Sequence, residues 1–303
     1  MCRMRFGAVS EQLLSSINLN LPQAPAHNAA ILKGIRSVAP KVYVGAATWG
    51  TTGWTGKIYP PKTSAARFRE FYPKQFNAIE LDATYYNIYP PDIIHKWAEP
   101  AAGFDFKYCP KFPQSISHQS GFQNVAGETE AFLESIKAFG QQLGPAYLQV
   151  SESFTPQYKE PLYNYLAELP VGFSYFLELR HPAWFSNAAQ ADELFQTLTA
   201  LNIGLVITDT PGRRDLVHMG LTVPKMFLRF VCNEVHPTSF SRTDAWVQQL
   251  SKWMEQGLEE AYVFLHPGND AAIPELATYW VNALNQKCGL HLKPPVVLQP
   301  QLF

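Results

Sequence analysis

Charge is scarce in this chain of 303 residues: Asp, Glu, Lys and Arg make up 16% of it, and 24 basic against 25 acidic residues leave a formal net charge of −1. No overall basic field draws in nucleic acid and none repels it, so any anion site has to be local. No run approaches the ~20 apolar residues of a membrane span. The first residues, MCRMRFGAVSEQLLSSINLNL, lack the continuous apolar region of a secretory signal. The cysteines (Cys2, Cys109, Cys232 and Cys288) show no CxxC spacing. Cys109 and Cys232 follow strand-like runs and read as buried thiols, which favours a reducing compartment. No internal repeat or low-complexity segment stands out. What the chain has in quantity is hydrophobic residues, at 47%, enough for a large core in one big domain or two small ones. The expectation is a soluble cytoplasmic protein with no membrane partner.

Residues 1–40 read as an accessory N-terminal extension, with short helices over Glu11–Asn18 and Ile31–Val38 and a linker, LPQAPAHN, between them. From Lys41 strands and helices alternate. Strands are expected at Val42–Ala46, Ala78–Asp82, Phe104–Cys109, Ala146–Val150, Phe173–Leu179, Ile203–Thr208, Met226–Phe230 and Ala261–Leu265. Helices are expected between them, with a poorly defined element after the sixth strand. Such alternation implies right-handed crossovers and a parallel sheet. Eight units in roughly 250 residues match a single-domain α/β fold, a (β/α)8 TIM barrel over 41–287 with a C-terminal tail at 288–303. An open doubly wound sheet is the alternative, but Gly45–Gly56 lacks the spacing of a dinucleotide turn.

The strand ends carry the chemistry. FSYFLELRHPAW is apolar on both faces for most of its length, then ends in Glu178, Arg180 and His181. Alternation puts Glu178 and Arg180 on one face. Similar endings recur: Glu80 and Asp82, Lys107, Gln149, Asp209, Arg229 and His266. In a barrel these converge on the C-terminal mouth, where such enzymes keep their active sites. Lys107, Arg180 and Arg229 would suit a phosphate or carboxylate. Glu178 and Glu80 would serve as general acid or base, assisted by His181 and His118. Aromatic residues crowd the same end, among them Trp49, Tyr85, Tyr86 and Trp184, of which two or three could stack on a base or sugar ring. The competing reading is a buried ion network that neutralises itself. No cofactor and no metal are expected. A divalent ion stays open as an alternative, because Glu80, Glu178, Asp209, His181 and His266 are suitable donor types although no HxH, HExxH or CxxC spacing brings them together.

Several stretches in collinear order resemble the YecE-like proteins, domain-of-unknown-function family 72: GAATWGTTGWTGKIYPP, NAIELDATYY, FDFKYCPKFPQSISH, LQVSESF, FLELRHPAW, MFLRF and, more loosely, AYVFLHPGNDAAIPE. The family's acidic residue and aromatic pair after strand two are matched by Glu80, Tyr85 and Tyr86. Its strand-three lysine and downstream Ser-His are matched by Lys107, Ser117 and His118. Its strand-five Glu-x-Arg-His with a nearby Trp is matched by Glu178, Arg180, His181 and Trp184, and its strand-seven arginine by Arg229. The resemblance runs from about Val42 to Leu284 and implies a TIM barrel similar to those of metal-dependent apurinic endonucleases and sugar isomerases, without handing over a reaction. The chain departs from the family after strand seven (VCNEVHP) and after strand eight (HPGN). The tail, Gln299-Pro300-Gln301-Leu302-Phe303, resembles the Gln-x-x-Leu-Phe peptides that dock on the bacterial sliding clamp, with Gln299, Leu302 and Phe303 as anchors.

The function expected from these features is turnover of a phosphate-bearing substrate, possible phosphoester hydrolysis in nucleic acid included. An isomerase or lyase acting on a small sugar phosphate or carboxylate is the second reading, and it requires a pocket-sized mouth rather than an open groove. A non-catalytic anion-binding or adaptor module is the third. The partner is accordingly an anionic small molecule or nucleic acid.

Overall fold

The computed structural model describes residues 6–34 and 39–298. Eight parallel strands form the barrel: β1 (Lys41–Ala46), β2 (Ala78–Leu81), β3 (Lys107–Pro110), β4 (Ala146–Gln149), β5 (Tyr175–Glu178), β6 (Gly204–Asp209), β7 (Lys225–Cys232) and β8 (Glu260–Pro267). Their order is β3-β2-β1-β8-β7-β6-β5-β4, so the first and last strands of the chain pair directly. The ring is nearly closed, because β3 and β4 are joined by isolated bridges at Tyr108–Leu143 and Lys111–Tyr147 rather than by a full ladder.

The helices are α1 (Glu11–Leu14), α2 (Asn28–Ile31), α3 (Phe68–Phe71), α4 (Ala83–Tyr86), α5 (Pro91–Ala98), α6 (Ala126–Lys137), α7 (Lys159–Ala167), α8 (Ala188–Ala200), α9 (Pro237–Gln256) and α10 (Ile273–Cys288). Local chemistry sets their limits. Asn187 caps α8 by accepting from the Ala189 amide, and Pro237 at the first turn of α9 gives up no hydrogen bond. Gly257 ends α9 in the left-handed region, φ 118°. Between β1 and β2 the chain runs as a 3-10 turn (Ala65–Arg67), the short α3 and a second 3-10 turn (Tyr72–Lys74), where Pro73 stops α3 from continuing.

Two packed layers hold the barrel. Tyr43, Cys109, Tyr147, Phe176, Phe227 and Phe264 fill the interior floor, while outward side chains meet the helices. Gly204 is required at the floor: a Cβ there would stand 2.3 Å from the Phe176 ring. Floor residues point inward, so the next inward position up each strand reaches the mouth. Those positions are Glu80, Lys111, Gln149, Glu178, Thr208, Arg229 and His266.

The crossover from β6 to β7 has a 3-10 turn at Arg214–Leu216 and no α-helix. The N-terminal extension takes that place and is part of the fold rather than an appendage. Asn28 donates to the Met219 carbonyl at 2.9 Å and accepts from the Leu221 amide at 2.8 Å. His27 bonds Thr199 of α8, and the Gly34 amide donates to the Gln256 carbonyl at the end of α9. Leu14, Ile31 and Leu32 are buried. Upstream, Gly7 at φ +67° lies so close to Thr210 that a Cβ would stand 2.6 Å from it. The expected helix at Ile31–Val38 falls partly on residues 35–38, outside the described residues, as do the tail anchors Gln299, Leu302 and Phe303. No helix among the described residues is long and apolar enough to cross a membrane.

Candidate functional site

Arg229 occupies the centre of the mouth. Its Nε and Nη2 donate to the two carboxylate oxygens of Glu80 at 2.9 and 2.6 Å, and its Nη1 donates to Glu178 at 2.7 Å. Glu178 also accepts from Arg180 Nε at 3.0 Å and from the Thr208 hydroxyl at 2.7 Å. His266 Nε2 sits 3.1 Å from Glu80. On the β3 side, Lys111 Nζ donates to Gln149 Oε1 at 3.0 Å, lies 3.6 Å from Asp82 and stands over the Tyr85 ring at 4.4 Å. The Tyr147 hydroxyl donates to Asp82 at 2.8 Å. One connected layer thus runs from Asp82 through Lys111, Gln149, Arg229 and Glu178 to Arg180.

The electrostatics follow from burial and pairing. Burial alone would raise the Glu178 carboxyl, but Arg180 and Arg229 overcome it and bring it down to about 2. Burial opposes the Glu80 charge as well, and Arg229 and His266 hold that carboxyl well below the usual range. Both acids are ionised at neutral pH, and their bonded neighbours occupy both oxygens of each. Glu80 and Glu178, expected as general acid or base, here anchor Arg229 and Arg180. In this part of the mouth the self-neutralising network is what the chain builds. Lys111 differs. Burial lowers its ammonium, Asp82 raises it and Arg229 lowers it further, and the balance stays below the ordinary value.

Other expected residues are placed elsewhere. Lys107 opens β3 at the opposite end of the barrel and donates to the Gln141 carbonyl. It shares inward parity with Lys111, but the strand starts three residues later than the sequence suggests, because Phe104 is exposed and Asp105 accepts from the Tyr43 hydroxyl below the sheet. The lysine of the mouth is therefore Lys111. Asp209 points outward, where Arg214, Arg242 at 2.7 Å and the Trp246 indole at 2.6 Å hold it. The inward residue at that strand end is Thr208. His181 caps the turn Pro182–Trp184 through Nδ1, and Trp184 is fully buried, donating to the Phe154 carbonyl. Of the donor types named for a metal, Glu80 and His266 touch, whereas Asp209 and His181 are turned away. The structure does bring Glu80, Gln149, Glu178, Arg180, Arg229 and His266 together, with Tyr85, Tyr86 and Trp49 above them.

A cavity of about 310 Å³ opens beside this layer, between the tops of β1, β2 and β8, walled by Trp49, Glu80, Asp82, Tyr86, His266 and Asp270. On the far side the Phe6 ring lies 4.5 Å from the Arg180 guanidinium and 5.2 Å from that of Arg213. Its backbone is tied down: the Thr210 hydroxyl donates to the Phe6 carbonyl and the Gly212 amide to that of Gly7. Sequence reasoning missed Lys111, Thr208, Tyr147 and Phe6. Parity would have marked the first three, whereas Phe6 carries no local signal.

Comparison with known proteins agrees with this barrel. The model of the family described as "Protein of unknown function DUF72" matches residues 43–299. The UPF0759 protein YecE of Escherichia coli strain K12 is 26% identical over 281 residues, covering 86% of this chain and all of that protein. The UPF0759 protein YunF of Bacillus subtilis is 27% identical over 156 residues, 48% of this chain and 52% of that one. The crystal structure of a DUF72 family protein from Enterococcus faecalis superposes with a TM-score of 0.60 at 18% identity, covering 81% of this chain and 98% of that one, a likeness of fold.

Proposed function

The chain belongs to the DUF72 family, and within that barrel we propose that the mouth binds and turns over a small anionic organic molecule, as an isomerase or lyase on a sugar phosphate or carboxylate. The cavity beside the polar layer carries this reading. Its volume of about 310 Å³ falls at the lower end of small-molecule sites, roughly 300–1,000 Å³. Its walls mix flat rings, Trp49 and Tyr86, with the hydrogen-bonding groups of Glu80, Asp82 and His266, a lining that suits a hydroxylated ligand. Lys111 does not wall the cavity, but its ammonium lies 3.6 Å from Asp82, which does, and it is the cation assigned to the ligand's anionic end. Arg229 does not supply it, because two carboxylates already hold its three nitrogens. The nucleic-acid phosphoester reading depended on Lys107, Arg180 and Arg229 acting together, and Lys107 and Arg229 are otherwise engaged.

The test is a thermal-shift and calorimetric titration of the whole chain with a panel of three- to six-carbon sugar phosphates, hydroxycarboxylates and neutral sugars, alongside a short abasic duplex at low salt. Anionic small molecules are expected to bind. Lys111→Met is expected to weaken them about 10- to 100-fold, the loss of one charge-assisted hydrogen bond of roughly 1.5–3 kcal/mol. Turnover would appear as deuterium entering the bound compound in D2O. Duplex binding without any response to small anions would overturn the proposal.

A further inference from the structure

After β3 the chain makes one π-helical turn, Ser115–Gln119, a rare geometry that concentrates at functional sites. Ser117, 6% exposed, points its hydroxyl at two groups: the Pro113 carbonyl at 3.0 Å and His118 Nδ1 at 2.8 Å. A hydroxyl has one proton to give. The Pro113 carbonyl can only accept, and it also takes the Ile116 and Ser117 amides; with the Ser117 proton directed to that carbonyl, the hydroxyl lone pair faces Nδ1. The imidazole then carries its hydrogen on Nδ1, and the lone pair sits on Nε2, for which no hydrogen-bond partner occurs among the described residues. The ring is exposed at the rim and meets Tyr85 edge-on, with centroids 5.5 Å apart at 86°. The same Tyr85 ring carries the Lys111 ammonium.

We propose that Ser117 is a positioning residue that fixes His118 in its Nδ1–H tautomer, so that Nε2 is the proton acceptor of the mouth for a substrate bearing an acidic C–H or O–H beside its anionic group. This rests on the reading of the mouth as a small-molecule site. In the step, the substrate C–H or O–H bond breaks, its proton passes to Nε2 and the electron pair stays on the substrate as an enolate or alkoxide. The imidazolium then returns the proton to the same or the adjacent atom. Burial, Lys111 and Arg180 push His118 toward the neutral form, with Glu178 pulling the other way, and Ser117 and Tyr85 complete its surroundings.

The experiment is long-range 15N–1H NMR of the histidine side chains in the full chain without ligand, with His118→Gln to assign the signal. The wild type is expected to show Nδ1 protonated and Nε2 bare. Ser117→Ala should move the tautomer ratio toward Nε2–H by about five-fold, the population equivalent of one ordinary hydrogen bond, and Ser117→Thr should restore it. A wild-type spectrum with Nε2 protonated, or a ratio unmoved by Ser117→Ala, would overturn the assignment. No ligand is needed, so failure here leaves the titrations of the mouth intact, and failure of those titrations leaves the tautomer standing.

Discussion

Arg229 neutralises two carboxylates that would otherwise face each other in the barrel. Desolvating such charges costs several kcal/mol each, and a buried network of this kind is seldom more stable than the apolar packing that could replace it. Breaking it is another matter. Arg229→Leu strands Glu80 and Glu178, both fully buried, and is expected to lower the unfolding free energy by about 3–5 kcal/mol in urea titrations. A loss below 1 kcal/mol would show that the layer is not held this way. The same pairing sets an acid dependence. Glu178 falls from an ordinary 4.5 to about 2 on folding, so the unfolded chain binds the proton more readily. Its contribution, on the order of a few kcal/mol, is fully present above about pH 4.5 and is lost as the pH falls toward 2. Glu178→Gln should lower stability at neutral pH and flatten the acid limb between those values. An acid limb as steep as that of the wild type would assign the slope to other carboxylates.

At the scale of the element, strand parity was readable and strand phase was not. FDFKYCPKF alternates without a break through Lys107 and Lys111, so hydrophobic pattern alone places either lysine at the mouth, and the choice is made by the Tyr43–Asp105 bond below the sheet. Asp209 was misread for a related reason. It ends β6 at an outward position, and the arginine and indole that satisfy it come from Arg214 and α9, which no local pattern announces. Phe6 belongs to an extension whose anchor points lie about 200 residues away in sequence, and a window of ten or twenty residues cannot register such contacts. Its position carries a consequence for Arg180, which is 7% exposed beneath it. Phe6→Ala should open that guanidinium to solvent and raise phenylglyoxal labelling of Arg180, followed by mass spectrometry, several-fold over the wild type. Unchanged labelling would mean that the ring does not shield it.

For the whole molecule, eight strand-like runs separated by helix-like runs were enough to give the barrel, because only a few topologies accommodate right-handed parallel crossovers in that number. The closure was not legible, since it depends on how many residues each neighbouring pair of strands shares. That number varies around the ring. β7 and β8 are matched over eight residues and β1 and β8 over six, whereas β3 and β4 share isolated bridges and the bonds from Gly144 to Tyr108 and from Phe112 to Tyr147. Local opening follows the weakest set of bonds and contacts, so the seam between β3 and β4 should open before the rest. Native-state hydrogen exchange read by mass spectrometry should find the slowest amides in β7, β8 and β1, with Gly144 and Phe112 exchanging orders of magnitude faster. The cavity lies away from that seam, between the tops of β1, β2 and β8, so a ligand seated in it should slow amides at the upper ends of those strands while leaving the seam fast. Uniform protection around the ring, or a ligand that slows the seam while leaving β8 unchanged, would contradict this picture of a barrel that opens away from its own cavity.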